Sequence, residues 1–383
     1  MHTLNNTPLT LLNQLTPTEF LAKYWQKKPL LIKQAIPDFN GLMNPNELAG
    51  LACEEEVQSR IVQYKKGKWL LKNGPFDEND FTKLPEKDWT LLVQSVNHHM
   101  PEANELLSQF SFIPHARLDD LMVSYAPDGG GVGPHFDSYD VFLLQGSGKR
   151  HWKITQHADH ALIEGAPLKI LKNFTTEEDW VLEPGDMLYL PPQVAHWGTA
   201  VGDDCMTYSI GFRAPKAQEL AHEFLNYLQD NITLDGLYED PDLTLQQHPA
   251  EISSDMVKKV SAFLKKIDWN AQLVGRFLGQ YLSEPKPHIM FEPNKKTSLD
   301  QFTQRLQQQA IHLNLASQML FFQNEFFLNG EPIVVDDTLK DCLQSLADRR
   351  YIESDKLGKN TVSQLAKCLH PHFLAGYLIF EDE

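Results

Sequence analysis

The spacing of apolar residues divides the chain into three stretches. In the first, residues 17–31 (PTEFLAKYWQKKPLL) open as an amphipathic helix with Phe20, Tyr24 and Trp25 at helical spacing. Pro29 stops it, and Leu30-Leu31-Ile32 reads as a short buried strand. Residues 42–52 and 89–110 read as further helices, the second presenting Trp89, Leu92, Val93 and Val96 on one face until Pro101 interrupts it. Between them, residues 60–64 and 68–71 alternate around Lys65-Lys66-Gly67, the pattern of a hairpin.

The middle stretch, residues 121–212, changes period. Short apolar runs follow one another with Gly and Pro punctuation: LMVSY, YDVFLLQ, HWKIT, DWVLE, DMLYL and MTYSIGF. No helical pattern intervenes, which predicts an antiparallel barrel or sandwich. The third stretch is helical again, over 217–228, 256–267 and 271–282, and Ser283-Glu284-Pro285-Lys286-Pro287 reads as a linker. From about Thr297 a helix (LDQFTQRLQQQA) precedes two apolar runs around Gln323-Asn324 and FFLNGEPIVV, whose Asn329-Gly330 is a strong hairpin turn. Helices over 339–347 and 362–369 and a strand over 377–380 complete an order that resembles a winged helix. The ribbon is acidic and apolar, so it reads as a scaffold or contact module and not as a nucleic-acid reader.

Composition changes this picture little. A chain of 383 residues exceeds what one core usually fills, and 42% hydrophobic with 22% charged residues is ordinary for a soluble protein. The expected units are 1–214, 215–285 and 286–383. No run approaches a spanning helix, residues 1–13 lack the pattern of a leader, and the four cysteines (Cys53, Cys205, Cys342, Cys368) have no metal or disulfide spacing. A reducing, cytoplasmic setting is the expectation. The net charge of −17 argues against nonspecific nucleic-acid binding and is compatible with a basic protein partner, although acidity also serves solubility alone.

Candidate chemistry concentrates in GGGVGPHFDSYDVFLLQ. His135 and Asp137 stand two apart and so project from a strand to the same side. His196, in GDMLYLPPQVAHWG, is the third donor. Two imidazoles and a carboxylate that leave coordination positions open are the ligand set of non-haem Fe(II) oxygenases. The residues alone leave a buried imidazole–carboxylate pair without metal as the alternative. A second His-x-Asp, His157-Ala158-Asp159, lies in a polar segment without an adjoining apolar run and reads as a solvated loop or helix start. Gly129-Gly130-Gly131 is not followed by a GK[ST] or a helix, which excludes a phosphate loop and leaves a flexible approach to the pocket.

GGGVGPHFDSYDVFLLQGSGKRHWKI, EPGDMLYLPPQVAHWG and TYSIGFRAP, with YWQKKPLLIKQAIP near the start, resemble the JmjC oxygenases of the ribosomal oxygenase type, particularly the bacterial ribosomal protein arginine hydroxylases. The likeness implies a mainly β, cupin-like JmjC barrel (a double-stranded β-helix) with flanking helices, a helical dimerisation unit and a winged-helix-like α+β end. It implies Fe(II) on His135, Asp137 and His196, with 2-oxoglutarate as cosubstrate and O2 as oxidant. The family carries Lys or Arg where Arg150 stands, so Arg150 is expected to hold the far carboxylate of 2-oxoglutarate through paired hydrogen bonds. Strand arithmetic does not supply that placement. A simple turn at Gly146-Ser147-Gly148 would set Arg150 beside Leu143, about 20 Å from Asp137 on a straight strand, so the segment must bend. Ser124, Tyr208 and Ser209 are candidate hydroxyl partners for the cosubstrate. The implied reaction hydroxylates an arginine of a large-subunit ribosomal protein. A histidyl hydroxylase of the same family and a metal-binding cupin without oxygenase activity are the alternatives.

Overall fold

The computed structural model describes residues 6–353 and 357–381. Two antiparallel sheets form its centre. Their strands are β1 (Leu30–Ile32), β2 (Ser59–Lys65), β3 (Lys68–Asn73), β4 (Trp89–Val93), β5 (Leu118–Ala126) and β6 (His135–Phe136). They continue as β7 (Val141–Gln145), β8 (Lys149–Thr155), β9 (Glu178–Leu182), β10 (Met187–Leu190), β11 (Ala195–Val201) and β12 (Cys205–Phe212). The larger sheet runs β1-β10-β7-β12-β5-β4-β2-β3 and the smaller β6-β11-β8-β9. From β5 onward the chain crosses between sheets at every step except β8 to β9, which makes a double-stranded β-helix.

Strand alternation gives the larger sheet two apolar faces. Outward, Phe142, Leu144, Tyr189 and Val123 meet the helices α1 (Pro17–Lys23), α2 (Pro45–Leu51) and α4 (Pro101–Ser108), with α3 (Glu78–Thr82) lying between β3 and β4 in the chain. Helix α1 starts on Pro17 behind a Thr16/Glu19 capping box and drives Phe20 to 5.1 Å from the Tyr189 ring and 5.6 Å from Phe142. Burial of each such side chain contributes about 1.5–3 kcal/mol. Inward, Val141, Leu143, Leu188 and Leu190 meet Trp152 and Ile154 of the smaller sheet.

The hairpin expected around Lys66-Gly67 forms as β2–β3, closing at Lys65↔Lys68 with both turn residues at positive φ (50° and 77°). The helix expected over 89–110 does not start where the pattern puts it. Trp89–Val93 is strand β4, paired with β2 and β5, and the helix begins at Pro101. WTLLV is flanked by strands and almost wholly buried, so it has no polar alternation to announce a strand, and its apolar spacing fits a helix by coincidence. Pro101 occupies the first turn, where its missing N–H costs nothing.

After the barrel come α5 (Ala217–Asn231), α6 (Ser254–Leu264) and α7 (Ala271–Ser283). Phe277 of α7 packs on Phe224 and Tyr227 of α5. Gly275 and Gly279 let the other side of α7 lie on aromatic rings: a Cβ would come within 2.3 Å of Phe322 and 2.2 Å of Phe327. Helix α6 buries no residue, although Met256, Val257, Val260 and Leu264 line it. The C-terminal part combines α8 (Leu299–Leu306), α9 (Lys340–Arg349) and α10 (Lys359–Leu374) with two three-stranded sheets. One joins β13 (Ile311–Leu313) to β17 (Tyr351–Ile352) and β18 (Leu378–Phe380). The other is a ribbon of β14 (Met319–Phe322), β15 (Glu325–Leu328) and β16 (Glu331–Ile333), turning at Asn329-Gly330 with φ of 51° and 84°. This is a winged-helix-like arrangement. The segment read as a linker is packed: Ser283 accepts from Gly330 N, and Lys286 meets Asp119 at 3.1 Å. Among the described residues no helix is long and apolar enough to cross a membrane.

Candidate metal centre

Strand pairing assembles the site. β6 and β11 are antiparallel, with His135 directly opposite His196, so both imidazoles stand side by side, ring centroids 4.2 Å apart. Asp137 follows on the same side, its Oδ2 3.6 Å from His196 Nε2. One ligand atom from each of the three lies within 4.8 Å of the others, and no other group of three such donors converges among the described residues.

Backbone carbonyls set the tautomers. His135 Nδ1 lies 2.9 Å from the carbonyl of Gly133, and His196 Nδ1 lies 3.0 Å from that of Val194. A carbonyl only accepts, so both Nδ1 atoms carry hydrogen, which leaves Nε2 as the metal-facing nitrogen of each ring. Burial, then repulsion from His135, pulls the His196 pKa down to about 4 against the opposing pull of Asp137. His196 is therefore neutral at pH 7, the state a metal requires. The backbone around Asp137 is held on both sides. Gln193 N, just past the Pro191-Pro192 turn, donates to the Asp137 carbonyl at 2.8 Å. Three residues on, buried Asp140 accepts from Tyr189 Oη at 2.7 Å and Gln26 Nε2 at 2.9 Å.

Gly129-Gly130-Gly131 is closely packed, contrary to the flexible approach expected of it. Gly129 N donates to the Ala200 carbonyl and Ala200 N to that of Gly130, and a Cβ on Gly130 or Gly131 would come within 2.0 Å of the Trp89 carbonyl oxygen or 2.3 Å of that of Gly198. Glycine is required here for close approach of two backbones. The second His-x-Asp is a surface loop, as its polarity indicates. His157 Nδ1 meets Glu177 at 2.6 Å, and Asp159 accepts from Ala161 N and Asn173 Nδ2.

Arg150 lies inside the barrel. Gly146-Ser147-Gly148 is no hairpin turn: it hands the chain from β7 in the larger sheet to β8 in the smaller, the bend that straight-strand arithmetic demanded. Arg150 pairs with Ala200 and Leu182, is 4% exposed, and has Nε and Nη2 buried without a partner. An unsatisfied buried charged donor costs about 1–3 kcal/mol or more, so this guanidinium calls for an anion. It shares a strand face with Trp152 and Ile154, and Ile154 is opposite His196. Arg150 is thus about 13 Å along the strand from the His196 level, a gap that both long side chains narrow.

The hydroxyl candidates divide by face. Ser124 alternates with Val123, which belongs to the outer core, and pairs with Thr207, whose Oγ1 donates to Gln145 Oε1 at 3.2 Å. Ser124, Thr207 and Gln145 therefore form a buried polar row on the inner face. Ala126 and Cys205, the next inward pair, touch Ala200 beside Arg150, so the row lies one strand step from the guanidinium. Ser209 shares that face. Tyr208 does not: it points into the outer core, and its hydroxyl accepts from Leu42 N at 2.7 Å and Met43 N at 3.3 Å. It is removed from the candidates because neighbours on a strand face opposite ways. Thr207, Gln145 and Trp152 were missed by sequence reasoning, although Trp152 stands two positions from Arg150 and so shares its face.

A double-stranded β-helix that brings two imidazoles and one carboxylate together and turns a guanidinium inward has the donor set of a metal-dependent enzyme barrel. Known proteins agree: the JmjC domain family matches residues 105–220, and the ROXA-like winged helix family matches 266–379. The ribosomal protein uL16 3-hydroxylase of Escherichia coli is 35% identical over 350 residues, 89% of this chain and 91% of that protein. A probable ribosomal oxygenase of Haemophilus influenzae is 41% identical over 64% of this chain and 60% of its own length. The structure of YcfD, a ribosomal oxygenase from E. coli, in complex with cobalt and 2-oxoglutarate superposes with a TM-score of 0.79 at 33% identity, covering 95% of this chain and 98% of that one. This chain belongs to the ribosomal oxygenases of the JmjC family.

Proposed function

We propose that this ribosomal oxygenase hydroxylates an arginine side chain of a large-subunit ribosomal protein, using Fe(II), 2-oxoglutarate and O2. The observation that carries the cosubstrate assignment is Arg150, a buried guanidinium with two unpartnered nitrogens inside a barrel whose mouth holds His135, Asp137 and His196. In this reading the three side chains hold Fe(II), Arg150 takes the far carboxylate of 2-oxoglutarate, and Ser124 adds a hydroxyl from the facing sheet. When bound, the iron and 2-oxoglutarate couple loss of CO2 and formation of succinate to insertion of one oxygen atom of O2 into a C–H bond. The chain's own part is geometric and electrostatic. The carbonyls of Gly133 and Val194 hold the Nδ1 side of each ring and so aim both Nε2 atoms at the metal, and the apolar inner layer excludes water.

The substrate class follows the E. coli relative named for uL16, and the local charge supports a cationic side chain. Tyr139, two residues past Asp137, has its hydroxyl pKa raised, first by burial and then by the nearby carboxylates Asp137 and Asp120, which outweigh the opposing pull of Arg60. A guanidinium is attracted to such a mouth, by the carboxylates and the ring face alike. Transfer of oxygen to arginine, read by mass spectrometry of treated large-subunit proteins, tests this reading. Oxygen on histidine would favour the histidyl alternative, and metal binding without 2-oxoglutarate binding would favour a cupin of another activity.

We also propose that the protein is a homodimer through α5, α6 and the segment 232–253 between them. Leu225, Leu237, Leu243, Leu245, Ile252 and Leu264 are each more than half exposed, a density of apolar side chains that a soluble surface rarely leaves uncovered. Light scattering at micromolar concentration is expected to give twice the chain mass of 43.8 kDa, and Leu245→Glu with Leu264→Glu to reduce it toward that mass. A monomer in the parent protein would refute the proposal.

A further inference from the structure

Arg150 is accompanied by a second unsatisfied donor. Trp152 is 5% exposed, and its Nε1 is buried with no partner. The two residues stand on one face of β8, with the guanidinium carbon 5.6 Å from the Trp152 ring and that ring 5.7 Å from the His196 ring. The indole therefore bridges the space between the anion clamp and the metal ligands.

Its orientation is fixed by β11. Gly198 lies directly across from Trp152, and a Cβ there would fall 2.5–2.8 Å from Cζ3, Cη2 and Cε3. The benzene edge of the indole thus rests on the glycine backbone, and the opposite edge, which carries Nε1, points away from that strand. An indole N–H donates and never accepts, so it calls for an acceptor. The surrounding layer of Val141, Leu143, Ile154, Leu188 and Leu190 offers none from its side chains. A phenylalanine would fill this apolar site without leaving a polar atom unsatisfied.

We infer that the Trp152 indole N–H is a further donor, beside Arg150 and Ser124, to the carboxylate-bearing cosubstrate that Arg150 clamps. Arg150 supplies charge and a two-pronged grip at one end. Trp152 supplies a single donor between that end and the metal ligands, which fixes how the molecule lies along the barrel. The inference rests on the proposed role of Arg150.

The test uses full-length protein loaded with Zn(II), which is diamagnetic, and titrated with 2-oxoglutarate. The chain has 7 tryptophans, and the indole N–H signal lost in Trp152→Phe identifies Trp152 in nitrogen-15 spectra. That signal is expected to move as 2-oxoglutarate saturates the parent protein. Trp152→Phe, which keeps the ring packing and loses the donor, is expected to bind 2-oxoglutarate about tenfold more weakly with Zn(II) affinity unchanged. Equal affinity in the variant, or no moving indole signal while the parent binds 2-oxoglutarate, would overturn the inference. The second readout needs no substitution and stands even if the variant does not fold. A parent protein that binds Zn(II) but no 2-oxoglutarate would instead overturn the proposed function, and this inference with it.

Discussion

Asp137→Ala is expected to lower Fe(II) affinity by more than about 100-fold and to abolish turnover, because altering even an outer partner of a metal ligand costs roughly 10–100-fold. Asp137 is the sole carboxylate among the three donors, the other two being imidazoles that bind a cation only as neutral ligands. Without it, two uncharged nitrogens face a divalent cation with no compensating charge. The fold should survive, because the carboxylate lies at the barrel mouth, partly exposed, and belongs to none of the apolar clusters. Anaerobic metal titration with a thermal melt of the metal-free variant checks both halves. Unimpaired turnover in Asp137→Ala would remove this residue from the site.

Arg150→Ala should weaken 2-oxoglutarate binding at least about tenfold, since a charge-assisted two-pronged contact contributes about 1.5–3 kcal/mol. Fe(II) affinity should change little, because Arg150 is separated from the ligands by Trp152. Arg150→Lys should recover part of the loss: a lysine keeps the charge and loses the fork. The metal-free protein supplies an independent readout. There the guanidinium is buried with two unsatisfied nitrogens, so its removal relieves a desolvation cost that offsets the lost packing of its stem. The melting temperature of metal-free Arg150→Ala should therefore fall less than burial of an arginine suggests. Anaerobic titration of 2-oxoglutarate against parent and both variants decides the matter, and unchanged affinity in Arg150→Ala would contradict the assignment.

The barrel was legible in the sequence because its strands are short, apolar and separated by Gly and Pro. The convergence of the three donors was legible in part because a spacing of two puts His135 and Asp137 on one side. What escaped had physical reasons. Strand β4 is flanked on both sides in the larger sheet and so shows no polar alternation, which left a helical coincidence to stand. The Gly129-Gly130-Gly131 run looks like freedom in one dimension and is close contact in three, against Trp89 and Gly198. Tyr208 and Ser209 are adjacent on one strand and cannot face the same pocket, so one of the two was excluded by alternation alone, and the structure shows that it is Tyr208. The burial of Arg150 was beyond sequence reasoning. It depends on the chain changing sheets at Gly146-Ser147-Gly148, and only the resemblance placed it in the site.

The direct measurement of the central claim is oxygen transfer. Purified protein with Fe(II), 2-oxoglutarate and O2 is incubated with large-subunit ribosomal proteins, succinate is quantified, and the treated proteins are digested and sequenced by mass spectrometry. The account predicts succinate release stimulated by the ribosomal proteins and one added oxygen atom on an arginine side chain, both absent when 2-oxoglutarate is withheld or Asp137 is replaced by Ala. Oxygen added to histidine, or no oxygen added by protein that demonstrably binds iron and 2-oxoglutarate, would contradict it.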